Sequence, residues 1–299
     1  MRPCVIPPPL KPGNLLYAIA PSGAVRDLSS IDAGLGLWRS RGYIIKMAPG
    51  WDDRYGYLAG TDEVRRRQLA LALQDPECKG ILCIRGGWGG ARLLENWEMP
   101  IEALRPKWLI GFSDITSLLW AFAQNGISGV HAPVLTTLAD EPIASKARLF
   151  DWVEGRSIAP LQGKGWGSGS AEGLLLPANL TVATHLLKTK YQPDLKGVIL
   201  ALEDVGEAPY RLDRMLTHWR MMGALAGVAG IALGRFSSCE PPEGYPSLTV
   251  EEMLRDRLAD LGIPIVADLP FGHEGENAAL PVGVQACLDG EKGELRIEN

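Results

Sequence analysis

Short apolar runs alternate with amphipathic stretches along the first half of this chain. Residues 14–20, Asn-Leu-Leu-Tyr-Ala-Ile-Ala, close on Pro21-Ser22-Gly23, the pattern of a buried strand ending in a turn. Residues 29–41 carry helical spacing, with Ser29 or Ser30 available as the cap, and Tyr43 to Met47 reads as a second strand. Thr61 is a suitable cap for a helix over about 62–74. Asp62 and Glu63 fall in its first turn, where the helix dipole favours acids. Residues 80–84 form a third strand that runs straight into Arg85-Gly86-Gly87-Trp88-Gly89-Gly90, and another helix starts over 91–95. Trp108 to Phe112 is a fourth strand, followed by a helix from Asp114 to Asn125. Buried strands alternating with helices predict an α/β fold with a parallel sheet covered on both faces.

The pattern changes after about residue 155. Residues 163–173 hold five glycines, a composition that suits a linker between domains or a loop inside one. Leu174-Leu175-Leu176 then precedes a helix at 179–188. A strong strand runs from Val198 to Glu203, with helices expected at 210–222 and 249–261. Strands are expected at 228–233 and 265–267, and 282–288 and 294–297 read as a hairpin around Asp289-Gly290. The length of 299 residues corresponds to roughly two domains of ordinary size. We expect residues 1–162 and 174–299 to be those two parts.

Composition narrows the function classes. Hydrophobic residues at 46% and charged residues at 22% exclude a disordered chain, a collagen and a coiled-coil rod. A net charge of −5 offers no basic surplus for nucleic acid or an anionic membrane. Cys4, Cys78, Cys83, Cys239 and Cys287 are too scattered for a disulfide framework or a zinc site and suit a reducing compartment. The proline-rich start has no apolar signal region, and no run approaches the length of a membrane span. A cytoplasmic protein is expected.

The sharpest chemical signal is Gly111-Phe112-Ser113-Asp114, where a buried strand meets a serine and a helix begins at once. Such a turn lifts a hydroxyl above a sheet beside the free amides of a helix N-terminus, as in a nucleophile elbow. The same serine could instead cap the helix, and the Gly-x-Ser-x-Gly pattern is broken by Ile115. A serine nucleophile needs a base. His273, in the Gly-flanked loop Phe271-Gly272-His273-Glu274-Gly275, is the favoured histidine. His185 and His218 sit on helices, and His131 precedes Ala132-Pro133 in an apolar segment that could line a site or lie in the core. An orienting carboxylate is the third requirement. Glu203 ends an apolar strand where a charge needs a partner, and Asp204 and Glu207 compete with it. The Gly86–Gly90 stretch has neither dinucleotide nor P-loop spacing. It reads as a turn whose bare amides approach a ligand and could complete an oxyanion hole.

In this order, Arg85-Gly86-Gly87-Trp88-Gly89, Gly111-Phe112-Ser113-Asp114, Leu202-Glu203-Asp204 and Gly272-His273 closely resemble the LD-carboxypeptidases, serine peptidases of the murein tetrapeptide carboxypeptidase type. The resemblance spans nearly the whole chain, from Ala20-Pro21-Ser22-Gly23 to Leu280-Pro281-x-Gly283. It includes Glu203-Asp204-Val205-Gly206-Glu207-x-x-Tyr210. It implies a flavodoxin-like N-terminal domain carrying Ser113 and a smaller mixed α/β C-terminal domain carrying Glu203 and His273. Ser113 would be the nucleophile, His273 the general base and Glu203 its orienting group. The backbone amides of Asp114 and Gly87 would form the oxyanion hole. A substrate with a free terminal carboxylate needs a receiver, for which Arg85 and Gly86 are the candidates, with a structural role the alternative for Arg85. The implied reaction needs no metal or organic cofactor. It cleaves a terminal D-alanine from the L-centre of a diamino acid in murein tetrapeptide, and a homodimer is usual. The chain departs from the family pattern at Pro177-Ala178-Asn179-Leu180, at Lys188-Thr189-Lys190-Tyr191 and at Trp88, which touches substrate details. A relative of the microcin C immunity peptidases, cleaving aminoacyl-nucleotide amides, is the alternative enzyme. Those chains tend to be longer, and the compact 234–249 segment favours the murein type. A murein-peptide sensor is the non-enzymatic alternative.

Overall fold

The computed structural model describes residues 1–95, 97, 105–241, 244 and 246–298. Its first sheet contains β1 (Leu15–Ile19), β2 (Ile44–Met47), β3 (Cys78–Cys83), β4 (Trp108–Gly111) and β5 (Val130–His131), all parallel, in the spatial order 2-1-3-4-5. That is the flavodoxin-like order. A late strand, β12 (Leu280–Pro281), pairs antiparallel with β5 at the sheet's edge. Helices α1 (Leu28–Ser40), α2 (Asp62–Gln74), α3 (Gly90–Leu93) and α4 (Thr116–Gln124) link the strands. α5 (Leu135–Leu138) and α6 (Ile143–Val153) follow.

The second sheet is mixed. β8 (Ser170–Asn179), β9 (Val198–Val205), β10 (Gly230–Ser237) and β11 (Ile265–Ala267) run parallel. β6 (Leu161–Gln162), β7 (Lys164–Gly165) and the hairpin of β13 (Gln285–Asp289) and β14 (Glu294–Ile297) pair antiparallel around them. α7 (Leu180–Leu186), α8 (Pro209–Met221) and α9 (Val250–Leu258) connect the parallel strands. Two apolar clusters fill the interior, and each draws buried residues from both sides of the 163–173 stretch. Ile19 with Leu200 and Leu258 belongs to one, and Leu16 with Ile199 and Phe271 to the other.

Local chemistry explains most element boundaries. Thr61 accepts a hydrogen bond from the Val64 amide, so the cap of α2 is as the sequence predicts. The α1 cap differs: Asp27, not Ser29 or Ser30, accepts from the Ser29 amide at 2.9 Å. A carboxylate is the stronger acceptor there, and it faces the positive end of the helix. The expected linker also differs, because Lys164–Gly165 is strand β7 and β8 begins at Ser170. Glycine there serves close backbone approach. A Cβ at Gly165 would lie 2.0 Å from the Gly290 carbonyl oxygen, and one at Gly173 would lie 2.4 Å from that of Gly197. Leu174-Leu175-Leu176 falls inside β8, which leads directly into α7, the helix expected there. Of the 234–249 segment, β10 takes up 234–237, and Pro242, Glu243 and Tyr245 lie outside the described residues.

Candidate active site

Ser113 stands at the C-terminal end of β4 with φ +64°, a left-handed backbone that L-residues rarely adopt. A tight 3-10 turn over Ser113–Ile115 leads directly into α4. Among the described residues no side-chain cap bond is made at this junction, so Ser113 does not cap the helix. It is a partly exposed hydroxyl on a strained strand-to-helix turn, next to amides that have no intrahelical carbonyl.

The Gly86–Gly90 turn lies against this elbow. A Cβ at Gly86 would sit 3.1 Å from Ser113 Cβ and 3.2 Å from Ser113 Oγ, so only a glycine leaves that space open. Gly87 is exposed with φ +109°. The Asp114 carboxylate anchors the turn by accepting from the Gly90 amide at 2.6 Å. That carboxyl is fully buried, and burial pushes its pKa above the usual range. Arg65, also fully buried, clamps the other side. It donates to the carbonyls of Pro21 and Gly89 and pairs with Asp62. Arg85 is half-buried, donates to the Ala24 carbonyl at 3.3 Å, and has no carboxylate partner among the described residues.

Glu203 and His273 come together from the second sheet. Glu203 is fully buried near the end of β9, and its Oε2 is 2.7 Å from His273 Nδ1. Glu203 Oε1 has no hydrogen-bond partner among the described residues, so the imidazole is what satisfies this carboxylate. Burial disfavours the charged imidazole, but the Glu203 carboxylate outweighs it, and the His273 pKa stands above its ordinary value. His273 packs on the ring of Phe112, centroids 4.7 Å apart, one residue before Ser113. No hydrogen bond joins Ser113 to His273 among the described residues. The site thus lies at the C-terminal ends of parallel strands from both sheets, where α/β folds commonly bind ligands.

The competing carboxylate has another job. Asp204 accepts from the Thr181 amide and hydroxyl, from Asn179 Nδ2 and from the Val205 amide. It therefore holds the start of α7. Burial and the neighbouring Glu203 push its pKa up to about 6. Glu207 pairs with Arg211. Of the other histidines, His185 is exposed on α7, and its Nδ1 lies 2.6 Å from the Thr181 carbonyl oxygen. His131 is fully buried against the rings of Phe112 and Phe271, with neither ring nitrogen bonded among the described residues. Burial, then His273, lowers its pKa to about 3, so it stays neutral.

Several supporting residues escape a sequence reading. Thr116 at the start of α4 accepts from the Asn179 amide at 2.9 Å, and Asn179 pairs with Glu203 in the β8–β9 register. This bond ties the serine-bearing helix to the strand that carries Glu203. The Phe112 ring, the Asp114 carboxylate and buried Arg65 likewise act through partners distant in sequence, His273, the Gly90 amide and the Gly89 carbonyl. Among the described residues, no group of three His, Cys, Asp or Glu side chains could hold a metal ion.

Residues 17–132 match the model of the LD-carboxypeptidase N-terminal domain, and residues 172–288 match that of the C-terminal domain. The chain belongs to the LD-carboxypeptidase family. It is therefore an enzyme, a serine-type carboxypeptidase by family. A putative carboxypeptidase of Synechocystis sp. is 57% identical to this LD-carboxypeptidase over 97% of the chain and 96% of the relative. The murein tetrapeptide carboxypeptidase of Pseudomonas aeruginosa is 33% identical over 92% of each. The crystal structure of muramoyltetrapeptide carboxypeptidase from Oxalobacter formigenes superposes with TM-score 0.84 at 30% identity, covering 95% of this chain and 98% of that one. The microcin C7 self immunity protein MccF in complex with glutamyl sulfamoyl guanosine superposes with TM-score 0.86 over 99% of this chain and 98% of that one. Its identity is 18%, a likeness of fold.

Proposed function

We propose that this LD-carboxypeptidase hydrolyses the amide between the L-centre of a diamino acid and the terminal D-alanine of murein tetrapeptide. The observation that carries the reading is the buried Glu203 holding His273 at 2.7 Å, beside the left-handed Ser113 elbow. In the proposed mechanism the nucleophile comes from the 1–162 part and its base from the 174–299 part. Substrate closes the gap between Ser113 and His273, as is common for catalytic hydrogen bonds that tighten on binding. His273 takes the Ser113 proton at Nε2 while Oγ attacks the carbonyl carbon. Glu203 accepts from Nδ1 and stabilises the imidazolium. The amides of Asp114 and Gly87 receive the oxyanion, each worth about 10²–10³ in turnover. His273 then protonates the departing D-alanine nitrogen, and water, activated the same way, releases the acyl group from Ser113. Arg85, which has no carboxylate partner among the described residues, receives the substrate's terminal carboxylate, and bare Gly86 leaves room for it.

The route fits peptides released during wall recycling in the cytoplasm, on an enzyme expected to be a homodimer. No helix among the described residues is long and apolar enough to cross a membrane. The fold it shares with MccF keeps one competitor in view. Purified protein offered tetrapeptide and an aminoacyl sulfamoyl adenylate in one mixture should consume the tetrapeptide. Preferential loss of the adenylate would make it an immunity-type peptidase.

A further inference from the structure

His273 lies on the stretch that carries the chain from the second sheet back to the first. β11 ends at Ala267 in the second sheet, and β12 begins at Leu280, paired with His131 of β5 in the first. Just before His273, the second sheet fixes this stretch. The Arg235 amide on β10 donates to the Phe271 carbonyl at 2.8 Å. A Cβ at Gly272 would lie 3.1 Å from the Arg235 carbonyl oxygen and 3.3 Å from Glu203 Cβ. Gly272 takes φ +127° in that space, a backbone open to glycine.

After His273 the hold comes from the part that carries Ser113. Glu141, between α5 and α6, accepts from the Asn277 amide through Oε2 at 2.9 Å. Arg148 of α6 donates through Nε to the Ala279 carbonyl at 2.9 Å. Asn277 then reaches back across the loop, and its Oδ1 accepts from the Gly272 amide at 3.2 Å, one residue before His273. The turn bearing the base is thus closed on Asn277, and Asn277 is held by Glu141. Two local rules are broken to achieve this. Asn277 is 1% exposed and its Nδ2 has no hydrogen-bond partner among the described residues, so a buried donor goes unused while the oxygen is presented. Burial raises the Glu141 pKa, and the Asn277 amide works against that rise by favouring the carboxylate. Broken rules of this kind are expected at functional sites.

No hydrogen bond joins Ser113 to His273 among the described residues, so the way the two parts are held together sets the spacing of base and nucleophile. We propose that Glu141 and Asn277 are positioning residues for the general base, fixing the His273 loop to the serine-bearing part so that Nε2 meets the Ser113 hydroxyl. Neither takes part in proton transfer. The inference rests on the Ser113–His273–Glu203 assignment above and is independent of which peptide is cleaved. A displacement of about 1 Å in such a group costs on the order of 10²-fold in rate.

The test is the rate constant for labelling of Ser113 by a small fluorophosphonate, which needs the activated hydroxyl and few substrate contacts. D-alanine release from murein tetrapeptide is measured on the same samples, well below their melting temperatures. Asn277→Ala and Glu141→Leu should each lower the labelling rate and kcat by about 10- to 100-fold and leave KM within about threefold. Glu141→Gln, whose carbonyl oxygen still accepts from the Asn277 amide, should stay within about threefold of wild type in both. The two positions are independent, so if one variant does not fold the other decides. Labelling at the wild-type rate in the folded variants, a rise in KM with kcat unchanged, or a loss in Glu141→Gln as deep as in Glu141→Leu overturns the positioning role. The expected labelling pattern without D-alanine release overturns the murein reading and leaves the positioning role standing. A wild-type enzyme that is not labelled at Ser113 overturns the triad and the proposal with it.

Discussion

Replacing Ser113 separates the cost of the elbow from its use. At φ +64° an L-residue pays about 1–2 kcal/mol relative to a right-handed conformation. Glycine adopts this backbone freely but loses about 0.5–1 kcal/mol more chain entropy on folding. The Ser113 hydroxyl makes no hydrogen bond among the described residues and is partly exposed, so its removal adds little. Ser113→Gly should therefore stabilise the protein by about 0.5–1 kcal/mol over both wild type and Ser113→Ala. For a chain of this size that is a rise of about 1–4 °C in melting temperature. Both variants should be inactive. Lys188, at φ +60° on the exposed surface, is the control. Lys188→Gly should gain a similar amount and keep its activity. The assay is thermal denaturation followed by circular dichroism, with D-alanine release measured on the same samples. If Ser113→Gly melts at or below Ser113→Ala while Lys188→Gly is stabilised, the elbow is not strained and its proposed part in exposing the nucleophile is wrong.

Three further outcomes are expected. The pH profile of kcat/KM should rise through a pKa above the ordinary histidine value as His273 loses its proton, and Glu203→Gln should lower that pKa and cost about 10²–10⁴-fold. The linked stability has the opposite slope, being full below the unfolded-state histidine pKa and lost as pH rises through the folded one; a Glu203→Gln limb at or above the wild-type position would remove Glu203 as the orienting group. Gly86→Ala should leave the melting temperature within about 2 °C, yet cut turnover by 10-fold or more as its methyl crowds Ser113 Oγ; unchanged turnover would show that the space is not used. Glu154, held by Arg41, Arg156 and Tyr43, has its pKa pulled down to about 2 against the cost of burial. Glu154→Gln should then cost about 2 kcal/mol at pH 7, once the partial exposure of both arginines is allowed for, and progressively less as pH falls from about 4.5 toward 2; a pH-independent loss in denaturant titrations would assign the effect to packing instead.

Much of this fold is readable from local signals. Apolar runs of strand length alternating with capped helices predict the parallel sheet, and the abrupt passage from Ile110 through Ser113 to a helix marks the elbow. The histidine and its carboxylate stand out because each is a charged or titratable residue at the end of an apolar strand or in a glycine-flanked loop. What stays hidden depends on tertiary partners. β12 is two residues long and exists only because β5 offers an edge. β7 and the start of β8 lie in a glycine-rich stretch whose composition reads as a linker, although those glycines are there to admit neighbouring carbonyls. α6 begins at Ile143 after Pro142, which offers no side-chain cap, and its buried Arg148 donates through Nε and Nη1 to the carbonyls of Ala279 and Ala159, far from it in sequence or across a loop. The choice of Glu203 over Asp204 is decided by the strand's pleat. Successive residues point to opposite faces, so one carboxylate meets His273 and the other caps α7.

The most direct test of the central claim is D-alanine release from murein tetrapeptide by the purified enzyme and its Ser113→Ala variant. Wild type should liberate D-alanine and leave the tripeptide, and Ser113→Ala should fall by at least about 10³-fold with its fold intact. Equal release by the two proteins would contradict a Ser113 nucleophile, and no release by wild type would contradict the substrate.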